Sequence, residues 1–381
     1  MPKPLVLSFL PQEKPHEILV QASAGRRELF LTRFTCRSGH RLRPSGDALV
    51  CLGLYPAAEI GADLHVKGAV SPCLRSNARA INRLYRRWWP SCRNVAVVAP
   101  EGVSMPAQVA RGTGLFFSGG ADSAFSLADA AARVSSLITL IGVDMPLSDS
   151  AETARLEALA REVAQAKGLD SIVIETDVSS TFHAFASWIE HHGAVLAAIG
   201  HMLSDHLERV LIASSGNETA WDVPWGSHPG LDPLFGSQAL AVEHHGLVSR
   251  FDKIARVAGD DVLLSRLRVC NKARRNCGMC SKCTFAMRSL DILGAKARAS
   301  SFPPFEPRRG AFGISDDASL DEHERLRDAA MAAGRADLLP EIEEAIGAYR
   351  HRTRRQRFGG EGLRIRARVM RHRLRWWRAS L

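Results

Sequence analysis

No apolar run in this sequence approaches the ~18 residues that a membrane-spanning helix requires, although 46% of its 381 residues are apolar. A transmembrane helix is therefore not expected. Met1-Pro2-Lys3-Pro4 opens no charged-then-apolar leader, so the expected location is cytoplasmic. Eight cysteines are too few for a disulfide scaffold at this length. Acidic residues nearly vanish at the end of the chain. From Arg350 to Leu381 there are twelve arginines and one acid, Glu361, so this stretch carries +11 of a whole-chain +10 and leaves about −1 elsewhere. The basic character thus belongs to a tail and says little about the body.

What is present centres on one stretch. Leu115–Phe117 is a short apolar run, and Ser118-Gly119-Gly120 a tight turn. Asp122 and Ser123 are suited to capping a helix over Ala124–Arg133. A glycine-rich turn between strand and helix aims unpaired N–H groups at one point, where the helix dipole adds partial positive charge. Glycine permits close backbone approach to a phosphate. The turn lacks the Gly-Lys-Ser/Thr of a Walker loop, so a different phosphate cradle is expected.

The run Ser118-Gly119-Gly120-Ala121-Asp122-Ser123 resembles the Ser-Gly-Gly-x-Asp-Ser signature of the PP-loop ATP pyrophosphatases. That resemblance implies cleavage of ATP between its α and β phosphates and adenylation of a substrate oxygen. It also implies that Ser118, Gly119, Gly120, Asp122 and Ser123 hold the ATP phosphates, with Asp122 near Mg²⁺ or the pyrophosphate end.

Residues 114 to about 260 alternate strand and helix patterns, which predicts an α/β fold with a doubly wound parallel sheet. Ligands of such sheets bind at the carboxyl ends of the strands, a rule that gathers Ser118–Ser123, Asp144, Asp177 and Ser214–Gly216 on one edge. Asp144 is either a ribose or magnesium contact or a turn former before Met145-Pro146. Ser215 and Gly216 are candidate ATP contacts. The loop Trp221–Phe235 is dense in Trp, Pro and Gly and is expected to wall a pocket, with His228 a candidate general acid/base and Asp232 a second polar group. His244 and His245, adjacent on a strand, should face opposite ways rather than form a metal pair. His201 and Asp205 share a helix face, placed either to line the cleft or to pair with each other.

Domain boundaries are expected near residues 110 and 300. Residues 1–110 read as a small β-rich domain, with strands at Leu5–Phe9, Glu17–Gln21, Glu28–Phe34, Ala48–Leu54 and Asp63–Val66, and a helix from Arg75 to Trp89. Residues 111–299 hold the ATP-binding domain. Residues 300–381 form a linker and a helical extension. Cys36, Cys51, Cys73 and Cys92 are expected as small core residues.

Cys270, Cys277, Cys280 and Cys283 are spaced to wrap a tetrahedral ion, with Gly278 supplying a positive φ. Structural zinc is the first reading, and an iron–sulfur cluster the alternative. The core Cys277-Gly278-Met279-Cys280-Ser281-Lys282-Cys283 resembles the zinc site that follows the PP-loop domain in 7-cyano-7-deazaguanine synthase. The likeness spans about residues 114–294. Trp225–Pro229 and Asn276–Cys283 also resemble runs in a group of uncharacterised PP-loop proteins, and other relatives serve in bacterial anti-phage systems. If the synthase likeness extends to the reaction, the nucleophile is ammonia. Alternatives are tRNA thiolation and a nucleotide-responsive binding module, for example in an anti-phage system.

In the tail, Leu363, Ala367, Met370, Leu374 and Trp377 form one apolar stripe on an Arg-rich helix. Three readings compete: an anionic membrane surface, nucleic acid phosphates, or docking on this protein or a second copy.

Overall fold

The computed structural model describes residues 3–25, 27–102, 112–304, 313–351 and 361–380, with side chains in the last stretch described for 367–378. The chain opens with strands β1 (Leu5–Phe9), β2 (Glu17–Ala24) and β3 (Arg27–Cys36). Helix α1 (Gly46–Ile60), β4 (Leu64–Lys67), α2 (Pro72–Trp88) and the two-residue β5 (Val97–Val98) follow. Next come β6 (Gly112–Phe116), α3 (Ala121–Asp129), β7 (Ser136–Ile141), α4 (Ser150–Lys167), β8 (Asp170–Thr176), α5 (Val178–Phe182), α6 (Trp188–Met202), β9 (Leu207–Ala213) and β10 (Ala241–His245). Helices α7 (Arg250–Ala258), α8 (Asp261–Leu264), α9 (Ser281–Ile292), α10 (Asp317–Ala332), α11 (Leu339–Arg350) and α12 (Glu361–Ser380) complete the described chain.

The strands form one ten-stranded sheet in the order β10-β9-β6-β7-β8-β3-β2-β1-β4-β5. Pairing is parallel from β10 to β8. It is antiparallel from β8 through β3 and β2 to β1, and parallel again from β1 through β4 to β5. The sheet is therefore mostly parallel but mixed. The first strands extend it directly, because Phe34, Thr35 and Cys36 pair with Thr176, Glu175 and Ile174. The residues expected to form a separate β-rich unit share both the sheet and the main core with the rest.

Side-chain alternation explains why the central strands are apolar throughout. Phe116, Ile138, Val210 and Ile212 face a core filled by α1 and α6, whereas Leu115, Phe117, Leu137 and Leu211 face one built with α3, α4 and α7. A third core joins α7 and α9 to α10 and α11, through residues such as Ile254, Phe285, Leu326 and Ile342.

Ala48–Leu54, expected as a strand, lies inside α1. Every residue of α1 is buried, so the helix shows no polar face from which a period of 3.6 could be read. Pro56 sits within it and has no N–H to offer the Leu52 carbonyl one turn back. His191 of α6 replaces that donor, its Nε2 lying 2.8 Å from Leu52 O.

The tail stripe is also revised. The buried face of α12 is Val369, His372 and Trp376, while Met370, Leu374 and Trp377 are exposed. Leu363 lies among the side chains outside the described set. Trp376 packs edge-on against Phe185, His372 Nδ1 contacts Glu59 Oε1 at 2.6 Å, and Arg368 pairs with Glu190. The helix is thus seated on its own protein through a face with two polar anchors, Arg368 to Glu190 and His372 to Glu59, which a purely apolar stripe does not reveal.

Candidate functional site

Strand order defines the site. From β6 the chain steps outward through β7 to β8, then crosses back to place β9 and β10 on the other side of β6. The loops after β6 and β9 diverge at this reversal, where open α/β sheets leave a crevice at their carboxyl edge.

The first loop is Phe117–Gly120. Gly119 has φ +72°, and a Cβ there would stand 2.6 Å from Leu159 Cδ2. Ser123 Oγ donates to Gly120 O (3.2 Å) and accepts from Ser118 N–H (3.2 Å). Gly120 N–H in turn meets Ser118 Oγ at 3.4 Å. The serines therefore hold the loop in shape, and Gly120 caps α3 without a side-chain bond of its own. Arg268 N–H donates to Gly119 O at 3.0 Å and fixes the far side of the turn.

Lys253 is a central residue that the sequence alone did not single out. Its Nζ donates to Asp122 Oδ1 (2.9 Å), Ser214 O (2.7 Å) and Gly216 O (3.3 Å), and the residue is only 1% exposed. One buried ammonium thus ties the β6 loop to the β9 loop. The available signal was weak, a lysine one turn into an amphipathic helix with Phe251, Ile254 and Val257 around it.

A cleft of about 430 Å³ opens against this junction, lined by Ser118, Gly120, Asp122 and Asp144 from the sheet edge. Arg250, Arg268 and Lys282 line it as well, giving a cationic wall opposite two carboxylates. A second cleft of about 440 Å³ adjoins it, since both share Arg250 and Lys282. Ser214, Ser215, Gly216, Trp225, His244 and Phe285 help line this one. The Trp221–Phe235 loop walls it through Val223, Trp225 and Ser227.

Several expected residues lie elsewhere. His228 lines neither cleft. Its Nδ1 accepts from Gly230 N–H at 2.9 Å, its Nε2 lies 3.3 Å from Trp221 O, and its ring packs on Trp88. Both nitrogens are engaged within the loop, and burial lowers its pKa. Asp177 accepts from Arg33 N–H at 2.9 Å and also lines neither cleft. His201 bonds to Phe235 O and Asp205 to Arg43, so they neither pair nor line a cleft. His244 and His245 do face apart: His244 meets Asp232, whereas His245 meets Ser126 and Asp129. Cys36, Cys51 and Cys92 are buried, but Cys73 is exposed.

The four clustered cysteines converge, with all their Sγ atoms within 4.8 Å of one another. Cys270–Cys280 and Cys277–Cys283 are each 3.9 Å apart. A tetrahedral ion with bonds near 2.3 Å spaces its thiolates by roughly 3.8 Å, so the set is compatible with zinc. A multi-iron cluster, in which each thiolate takes a different iron, calls for wider separation. N–H groups of Lys272, Met279 and Cys280 aim at Cys270 and Cys277 Sγ at 3.3–3.4 Å. Burial opposes ionisation of Cys270, but N–H groups including that of Lys272 outweigh it and lower its pKa to about 6. Gly278 has φ +70°, and a Cβ there would meet Pro303 at 2.7 Å. Asn276 braces the knuckle by accepting from Val269 and Cys270 N–H and donating to Leu267 and Ser301 carbonyls. Because Cys270 and Lys282 also line the first cleft, the cysteine cluster shapes its wall.

Comparison with protein-family models, curated proteins and solved structures returned no match.

Proposed function

We propose that this chain is an ATP-dependent adenylating enzyme of the PP-loop type, converting ATP to AMP and pyrophosphate while activating a carbonyl or carboxylate oxygen of a small-molecule substrate. One observation carries the reading. The Ser118–Ser123 loop and the Ser214–Gly216 loop meet at the strand-order reversal and are joined by Lys253; the first lines the cleft that carries Arg250, Arg268 and Lys282, and the second lines the adjoining cleft. Its β8-β7-β6-β9-β10 half also has the order of a nucleotide-binding sheet.

In this reading, N–H groups at the start of α3 hold the phosphates, and the Ser118 and Ser123 hydroxyls keep that cradle formed. The substrate oxygen attacks the α-phosphorus, and pyrophosphate leaves against the three cations. Asp122 and Asp144 would hold magnesium, which supplies further neutralisation of the leaving group. The adjoining cleft, with Trp225 and Phe285 on its wall, takes the acceptor. Zinc at the four cysteines would fix α9 over the sheet edge and takes no part in the chemistry. If the 7-cyano-7-deazaguanine synthase likeness extends to the second step, ammonia or an amine displaces AMP. The tRNA-thiolation alternative draws no support from the sulfur spacing, which suits a single ion.

The test is exchange of radiolabelled pyrophosphate into ATP in the presence of Mg²⁺ and a deproteinised metabolite extract. The expected result is exchange that depends on the extract and is lost in Ser123→Ala and Asp122→Ala. Extract-dependent release of ADP without exchange overturns the reading.

A further inference from the structure

The second cleft contains a proton-transfer arrangement that the phosphate loop does not use. Asp232 is fully buried and accepts on both oxygens. Its Oδ2 takes the Ser227 hydroxyl at 2.6 Å and lies 2.8 Å from His244 Nδ1, while its Oδ1 takes the His228 N–H at 3.1 Å. A carboxylate oxygen accepts, so in the neutral imidazole the contact assigns the ring proton to Nδ1 of His244 and the lone pair to Nε2 on the opposite edge. That Nε2 is buried and has no hydrogen-bond partner. The His244 side chain is 4% exposed and lines the cleft together with Ser214, Gly216 and Trp225. A buried and unsatisfied imidazole nitrogen carries a desolvation cost that a donor reaching it from the cleft would relieve.

The sequence places this pair with economy. Gly226 lets the loop pass directly over α6: a Cβ there would stand 2.2 Å from Ile189 O. Gly193 allows the same approach from the helix side, where a Cβ would stand 2.3 Å from Gly226 O. This contact seats Ser227 and Asp232 beneath β10, and strand alternation turns His244 toward them and His245 away.

We propose that His244, held by Asp232 and Ser227, is the general base for the nucleophile that displaces AMP, and that the cleft it lines binds an acyl adenylate together with an amine. This rests on the adenylation reading above. The amine nitrogen attacks the activated carbonyl carbon and a C–N bond forms. The C–O bond to the phosphate breaks, and AMP leaves with that electron pair. The surplus proton on nitrogen passes to His244 Nε2, and Asp232 stabilises the imidazolium. Asp232 acts through His244 and is a positioning residue.

The experiment separates the two half-reactions. Pyrophosphate–ATP exchange reports adenylation, and net AMP release, measured with the same extract plus ammonium chloride, reports displacement. The ratio of AMP release to exchange is expected to fall about 100-fold in His244→Gln and His244→Ala. Asp232→Asn, which removes the acceptor that fixes the tautomer, should show the same split. Equal AMP release in wild type and both His244 variants overturns the proposal. So does parallel loss of exchange, AMP release and thermal stability, which would make the pair structural. Absence of exchange in the wild type overturns the adenylation reading itself, a result distinct from either.

Discussion

Gly119 and Lys253 illustrate two ways in which single residues shape the first cleft. Gly119 must hold φ +72° with Leu159 pressed against it, so Gly119→Ala combines backbone strain with a contact. A loss of about 1–2 kcal/mol in stability is expected, with at least tenfold weaker ATP binding by calorimetry. Lys253→Met keeps the apolar stem but removes the ammonium that bridges two loops. It should lower stability by about 2 kcal/mol in urea melts, less than a fully buried pair costs because Asp122 is partly exposed. ATP-induced thermal stabilisation should disappear. His191 offers a third case, in which a histidine compensates for a proline. His191→Ala leaves the Leu52 carbonyl buried and unpaired, so a loss of about 1–3 kcal/mol is expected, and Pro56→Ala in the same chain should recover part of it by restoring an N–H. The glycines and serines of the Ser118–Ser123 loop were legible in the sequence because each has a local backbone role. Lys253 and His191 were not, since their partners lie far away along the chain, and the Asp232–His244 pair depends on how the loop before β10 folds back beneath that strand.

At the level of elements, legibility followed the environment of each segment. Strands β1 and β4 and helix α2 lie close to their expected bounds, because one face of each has an apolar period of its own. Helix α1 was missed because burial on every side erases that period. The face of α12 was misassigned for a different reason. Its anchors are His372 and Arg368, which pair with Glu59 and Glu190, and a hydrophobic stripe cannot report polar partners on other helices. Trp376→Ala should therefore destabilise the whole fold by about 3 kcal/mol, whereas Trp377→Ala, a neighbour on the exposed face, should change stability by less than about 0.5 kcal/mol. Chemical denaturation of the two variants checks the contrast.

The whole molecule joins its cores through one sheet and adds a helical lobe braced by the cysteine knuckle. Buried neutral histidines link this fold to pH. Burial lowers the pKa of His191 to about 4 and also lowers those of His201, His228 and His245. The unfolded chain, whose histidines titrate near 6.5, binds more protons below that pH than the native state does. Stability is therefore full above about pH 6.5 and falls as pH drops toward about 4. Melting temperatures between pH 7.5 and 4.5 should decline, and His191→Gln should flatten the decline. If the cysteines hold zinc, chelation should loosen α9 and weaken the proposed ATP binding together, because Cys270 and Lys282 line the first cleft. The most direct measurement of the central claim is phosphorus NMR of ATP turned over by the protein with Mg²⁺ and the metabolite extract. The account predicts AMP and pyrophosphate in equal amounts, from cleavage between the α and β phosphates. ADP and inorganic phosphate as the products would contradict it.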